Sequence, residues 1–351
     1  MTTLSLRHRF LQAMDAVASR LPERLAFLPK NDAGEPLSPF LEGLRHLRRL
    51  TAPRNAAKLS PQALRERFRA DLLAMRVGFP VREVRTIALP GADGLLRARH
   101  YVPASTAALP VLLVYFHGGG FVFGDLDTHD DACRLLCQES GMPLLSVEYR
   151  LAPEHPFPAA VEDAEAACRW ALKNLDQFGV EALAIGGDSA GGNLAAVTAQ
   201  TLAATGAPLL AQLLIYPGTD LGTPRASHQF FSEGYFLNLA DREFFYHCYL
   251  GRQQQLATDP RVSPLLNPDP GALAAALMVT AGFDMLRDEG EAYASHLRET
   301  GTRTQLMRFE RLGHAFINLA SVHADSRLAL QQIAVQWRSL CQQQLLHGEK
   351  E

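Results

Sequence analysis

The chain has 351 residues, 47% of them hydrophobic, enough for one large domain with insertions or two small ones. Its 34 basic against 37 acidic residues leave a formal charge of −3, which gives no basis for nucleic acid or an anionic membrane surface as partner. The five cysteines are odd in number and form no C-x-x-C pair, so they read as reduced, buried thiols, and no histidine pair completes a metal site beside Cys133 and Cys137.

At the N-terminus, Phe10, Met14, Val17 and Leu21 recur at helical spacing, interrupted by Arg7, Arg9, Asp15 and Arg20. An export signal needs an unbroken apolar run, and no stretch has the length of a transmembrane helix. The reading is a soluble, cytoplasmic protein. Residues 1–78 read as helices over 5–20, 38–50 and 60–76, separated by turns at Pro22, Pro29, Pro36, Pro39 and Pro53. Each is amphipathic and needs a partner surface, so the block is a cap region and not an independent domain.

From residue 81 the pattern changes. Val81–Leu89 and Leu95–Val102 alternate around Gly91-Ala92-Asp93-Gly94, which predicts an antiparallel hairpin. Apolar strands then follow at 111–116, 144–147, 182–185, 210–216, 277–280 and 305–309. Helices are predicted near 129–140, 158–176, 190–204, 287–300 and 322–345. Alternating strands and helices imply a mainly parallel sheet covered on both faces, with its site at the carboxyl ends of the strands. Residues 218–270 interrupt the rhythm with prolines and an aromatic run from Phe230 to Tyr249, and are expected to contribute to the cap. The catalytic domain is then 79–217 with 271–351.

Gly187-Asp188-Ser189-Ala190-Gly191 stands between an apolar strand and a helix. Strand, sharp turn and helix make this Gly-x-Ser-x-Gly pattern a nucleophile elbow with Ser189 at its tip. The glycines of His117-Gly118-Gly119-Gly120 let backbone N–H groups approach a developing oxyanion. Gly118, Gly119, Gly120 and Ala190 are therefore the candidate donors. Asp284, at the end of a strand, is the candidate acid. Asp288 and Glu289 are its rivals in the first turn of the next helix, where acidic residues are common for dipole reasons. His314, after the last strand, is the candidate base. The order Ser189, Asp284, His314 is the one expected on such a sheet.

These motifs resemble the hormone-sensitive-lipase-like bacterial esterases of the α/β-hydrolase superfamily. The matching blocks run from His117–Asp125 through Glu148–Ala159, Gly187–Gly192, Ser263-Pro264-Leu265, Gly282-Phe283-Asp284 with Asp288-Glu289-Gly290, to Gly313–Phe316. The Gly-Asp-Ser-Ala-Gly form points to one subgroup of that family. Met285 stands where the family usually has proline, and Phe121 where it often has tryptophan. The resemblance implies an α/β-hydrolase fold: an eight-stranded, mainly parallel sheet flanked by helices, with a helical cap. It also implies hydrolysis of short- to medium-chain carboxylic esters through an acyl-enzyme, with no metal or organic cofactor. Phe121 and Phe316 are expected to line the substrate pocket. The partner is a small-molecule ester, and a homodimer is left open. Two alternatives stay open at this point: a related acyl hydrolase acting on amides, formamides or lactones, and a non-catalytic ligand receptor on the same fold.

Overall fold

The computed structural model describes residues 4–20, 28–51, 60–105 and 108–348. Leu21, Pro22 and Pro53 of the sequence reading lie outside them. The first helix, α1 (Leu6–Ala18), is started by Ser5, whose hydroxyl accepts from the His8 N–H. α2 spans Pro39–Thr51. α3 (Pro61–Leu73) is capped by Ser60, with proline in its first turn. All three lie within two residues of their predicted bounds at their N-terminal ends.

The hairpin is β1 (Glu83–Pro90) and β2 (Leu95–Val102), paired antiparallel. There follow β3 (Val111–Phe116), α4 (Asp130–Ser140), β4 (Leu144–Glu148) and α5 (Ala159–Leu172). The helix predicted over 158–176 is split. Asn174 donates its side-chain N–H to the Trp170 carbonyl at 2.7 Å, and a short α6 (Leu175–Phe178) restarts before left-handed Gly179. Next come β5 (Ala182–Asp188), α7 (Ala190–Ala204) and β6 (Ala211–Ile215). The 218–270 segment holds α8 (Ala226–Phe230) and α9 (Leu239–Leu250). The chain closes with β7 (Ala275–Phe283), α10 (Arg287–Glu299), β8 (Thr304–Gly313) and α11 (Ala324–Gly348).

The strands form one sheet in the order β1-β2-β4-β3-β5-β6-β7-β8. β2 pairs antiparallel with β1 and β4, and every other pairing is parallel. β3, β6 and β7 are buried along their whole length, as strands covered on both faces must be. One core layer includes Tyr101, Leu213, Leu277 and the α11 residue Trp337. The other includes Leu112, Ile185, Leu194 of α7 and Ala164 of α5. Five free cysteines are buried, as the composition predicted. Among the described residues no helix is long and apolar enough to cross a membrane.

Candidate active site

The site is assembled by where the central strands end. Phe116, the last residue of β3, is paired with Gly187 of β5. The glycine loop that follows β3 therefore starts beside the turn that follows β5. In that turn Ser189 has φ 54° and ψ −118°, a conformation a non-glycine residue holds at a cost of about 1–3 kcal/mol. Neighbouring backbone over-determines it: the Ser189 N–H donates to the Ile215 carbonyl at 2.9 Å, and Asn193 N–H donates to the Ser189 carbonyl at 3.0 Å. A Cβ on Gly191 would lie 1.9 Å from the Phe116 carbonyl oxygen. One on Gly187 would lie 2.4 Å from Gly191. Both glycines are required by close passage of backbone.

β7 and β8 bring the other two groups together. Their parallel register shifts between Ala281 and Phe283, so that Phe283 is paired with Gly313. Asp284 and His314 are the next residues on each strand and leave the sheet side by side. His314 Nδ1 lies 2.7 Å from Asp284 Oδ2, and His314 Nε2 lies 2.9 Å from Ser189 Oγ. This network assigns the imidazole proton to Nδ1, donated to the carboxylate, and leaves Nε2 to accept from the serine hydroxyl. Asp284 Oδ1 accepts from the Leu286 N–H at 2.9 Å, which fixes the carboxylate plane. Met285 is fully buried and does not disturb this turn. Tyr216 packs on the imidazole with ring centroids 4.8 Å apart.

The rivals of Asp284 are engaged elsewhere. Asp288 accepts from the Ser227 N–H and pairs with Arg287. Glu289 is fully buried, accepts from the Thr219 N–H at 2.7 Å and lies 3.0 Å from His228 Nε2. Both hold the start of the 218–270 segment against α10.

The four expected oxyanion donors are not equivalent. Gly118 gives its N–H to Asp188 Oδ1 at 2.9 Å and has none left for an oxyanion. Gly119, Gly120 and the Ala190 N–H at the start of α7 donate to no acceptor among the described residues. They are the donors free to meet an oxyanion. Phe121 and Phe316, expected in the pocket, are packed away. Phe121 stacks on Tyr249 at 3.8 Å and is 3% exposed, and Phe316 is fully buried between Tyr216 and Phe309. Phe121 is held by the ring of Tyr249 on α9, and Phe316 by the rings of Tyr216 and Phe309.

Asp188 is a residue whose part the motif alone does not disclose. Its carboxylate also accepts from the Tyr115 hydroxyl at 2.8 Å and lies 3.6 Å from His129 Nε2. Burial works against its charge, but His129, Tyr115 and the Gly118 N–H outweigh that and hold its pKa below the ordinary carboxylate value. It ties the glycine loop to the elbow. His117, in the same loop, is fully buried; burial and the nearby His129 lower its pKa to about 4, so it is neutral at pH 7. Asp188→Ala should strand the Gly118 and Tyr115 donors in a dry interior, at a cost of about 3 kcal/mol. It should lower kcat more than it raises KM, because the loop that carries the donors loses its anchor. Urea denaturation and steady-state kinetics on the same sample check both effects; a variant equal to wild type in both contradicts the anchoring role.

The aromatic run of the 218–270 segment reaches this loop. A Cβ on Gly120 would lie 2.2 Å from the Phe245 ring. Phe123 packs on Phe245 at 5.2 Å and on Phe68 of α3 at 5.5 Å. Arg65 of α3 donates to the carbonyls of Val122 and Ala152.

Comparison with known proteins adds ancestry to this geometry. Residues 113–318 match a family model described as the alpha/beta hydrolase fold. The chain is 47% identical over 254 residues to a carboxylic ester hydrolase, LipN, of Mycobacterium tuberculosis, covering 70% of this chain and 67% of that protein. It is 40% identical over 263 residues to an ethyl acetate hydrolase of Pseudomonas putida, covering 70% and 80% respectively. The chain belongs to the α/β-hydrolase family. Within that family it falls among the hormone-sensitive-lipase-like esterases. An esterase structure from Pyrobaculum calidifontis superimposes with a TM-score of 0.80 at 40% identity, covering 87% of this chain and 99% of that one. In this α/β-hydrolase the similarity reaches beyond the 113–318 core, since 87% of the chain exceeds the matched span.

Proposed function

We infer that this chain is a carboxylic ester hydrolase that works through an acyl-enzyme on Ser189 and prefers short to medium acyl chains. One observation carries the reading: the unbroken hydrogen-bonded row from Ser189 Oγ through His314 to Asp284, beside unclaimed N–H groups of Gly119, Gly120 and Ala190. Ser189 Oγ attacks the ester carbonyl carbon as His314 Nε2 takes its proton. The resulting imidazolium is stabilised by Asp284, which stays ionised. The carbonyl oxygen becomes an oxyanion and accepts from the three N–H groups. The carbon–oxygen bond to the alcohol breaks, and His314 returns the proton to the leaving oxygen. His314 then takes a proton from water, whose oxygen attacks the acyl carbon; the bond from that carbon to Ser189 Oγ breaks, His314 gives the proton to Oγ, and the carboxylic acid leaves.

Helices α1–α3 and the 218–270 segment act as the cap. Phe68, Phe123, Phe244 and Phe245 give the pocket apolar walls next to the oxyanion loop. A walled pocket stops accepting methylenes once it is full, each buried methylene being worth about 0.8 kcal/mol until then. Turnover of p-nitrophenyl esters of rising chain length should climb and then fall steeply. Deleting residues 1–35 should flatten that fall or cause aggregation, because α1 is tied to the body through His8 Nδ1 and the Met75 carbonyl at 2.7 Å and through Asp15 and the Ala324 N–H at 3.0 Å. A truncated protein that stays soluble with the same chain-length profile contradicts the cap reading. The buried free thiols suit a reducing, cytoplasmic setting. The substrate is a small molecule, and no nucleic-acid surface is invoked.

A further inference from the structure

Helix α2 buries Phe40, Leu41 and Leu44 along one stripe. Continuing that stripe by one turn from Leu44, and by two from Leu41, reaches Arg48. An amphipathic helix calls for an apolar residue there, and the chain places a guanidinium. Its Cζ lies over the Phe236 ring, 5.5 Å from the centroid. The same ring lies 3.0 Å from where a Cβ on Gly313 would be, immediately before His314. Arg48 is thus one aromatic ring away from the backbone that carries the candidate base.

Its neighbours on the helix are occupied. Arg45 makes a two-pronged pair with Glu42, at 2.7 and 2.6 Å. Arg49 crowds Gly234. Arg48 makes no hydrogen bond and no ion pair with any described residue. Asp241 is a nearby carboxylate, but its Oδ2 accepts from the Asn238 N–H at 3.2 Å as part of the cap of α9. Arg48 is accessible to solvent, yet the protein mass around it pushes its pKa below the ordinary guanidinium value, against the pull of Asp241 and Asp71. Phe236 and Asp241 beside it are themselves only partly buried.

An exposed guanidinium with no hydrogen-bond or ion-pair partner among the described residues, one ring from the site, is a receptor for a planar anion. Its parallel N–H groups match a carboxylate in two-pronged fashion. We propose that Arg48 is a specificity residue that recognises a carboxylate on the substrate, so that the enzyme favours esters carrying an acidic group remote from the scissile bond. The inference rests on the esterase reading above. Hydrolysis proceeds as described, and Arg48 holds the distal carboxylate without entering the bond changes.

The test compares matched esters on one enzyme preparation. One arm uses monoethyl esters of dicarboxylic acids from malonate to suberate, each against its diethyl ester, which places the anion on the acyl side. A second arm uses O-acetyl hydroxy acids against their ethyl esters, which places it on the alcohol side. The readout is the ratio of kcat/KM for the acidic ester to that for its neutral partner. In at least one arm, at one chain length, this ratio should exceed one in the wild type. It should fall about tenfold or more in Arg48→Gln, mainly through KM, and recover in part in Arg48→Lys. The neutral ester assayed on the same sample guards against misfolding. A ratio unchanged by Arg48→Gln, or a wild type that hydrolyses neutral esters and rejects every acidic one, overturns the inference while leaving the esterase reading standing. A wild type that hydrolyses no ester at all overturns both.

Discussion

Replacing Ser189 by alanine should lower kcat for ester hydrolysis about a millionfold, with the fold intact. The loss is large because the other groups have no purpose without the nucleophile. His314 then has no hydroxyl to deprotonate, and the N–H groups of Gly119, Gly120 and Ala190 face a carbonyl that is not under attack. What survives is binding and weak stabilisation of a water-derived oxyanion. Stability should be unchanged or slightly raised, because among the described residues the hydroxyl's hydrogen bond is the 2.9 Å one to His314. The strained φ of 54° belongs to the turn and persists with alanine. Steady-state hydrolysis of p-nitrophenyl butyrate, with a thermal melt of the same sample, checks both halves. Turnover within tenfold of wild type would remove Ser189 from the mechanism.

The second large effect distinguishes two acidic residues four positions apart. Asp284→Asn should lower kcat about 10,000-fold. The amide can offer an N–H where the carboxylate accepted one, and His314 then presents its Nε2 proton to Ser189 in place of a lone pair. Geometry is preserved and the tautomer is wrong, so the loss falls on kcat and leaves KM near its wild-type value. Asp288→Asn should change kcat by less than about tenfold, because Asp288 contacts Ser227 and Arg287 and not His314. Its cost should appear as a lowered midpoint of unfolding. Parallel kinetics on the two variants decide the matter, and a reversed order would move the acid to Asp288.

The order of Ser189, Asp284 and His314 was readable because each follows an apolar strand, and strand ends are visible as apolar runs that stop at glycine or a polar residue. The same alternation of runs and helices disclosed the parallel sheet and the antiparallel hairpin that edges it. Contacts between residues distant in the chain were not readable. Nothing near Gly118 announces that its N–H is taken by Asp188, 70 residues on. The register shift at Gly282, which aligns Asp284 with His314, depends on the Glu310 carbonyl passing where a Cβ would stand, 2.0 Å from it. Phe121 and Phe316 looked like pocket residues from their place in the motifs, and their burial follows from partners at Tyr249, Tyr216 and Phe309. The acidic pair Asp288 and Glu289 read as helix-dipole residues, while their contacts with Ser227, Thr219 and His228 come from a segment more than 60 residues earlier.

The most direct measurement of the acyl-enzyme mechanism is covalent labelling by an activated phosphonate, followed by intact-mass and peptide mass spectrometry. An ethyl p-nitrophenyl alkylphosphonate loses p-nitrophenolate to the serine oxygen, and its phosphoryl oxygen then occupies the place of the oxyanion. The expected result is one adduct per chain, in the peptide that contains Ser189, formed in step with loss of esterase activity and absent from the Ser189→Ala protein. An adduct on another residue that tracks inactivation, or full inactivation with no adduct on Ser189, would contradict it.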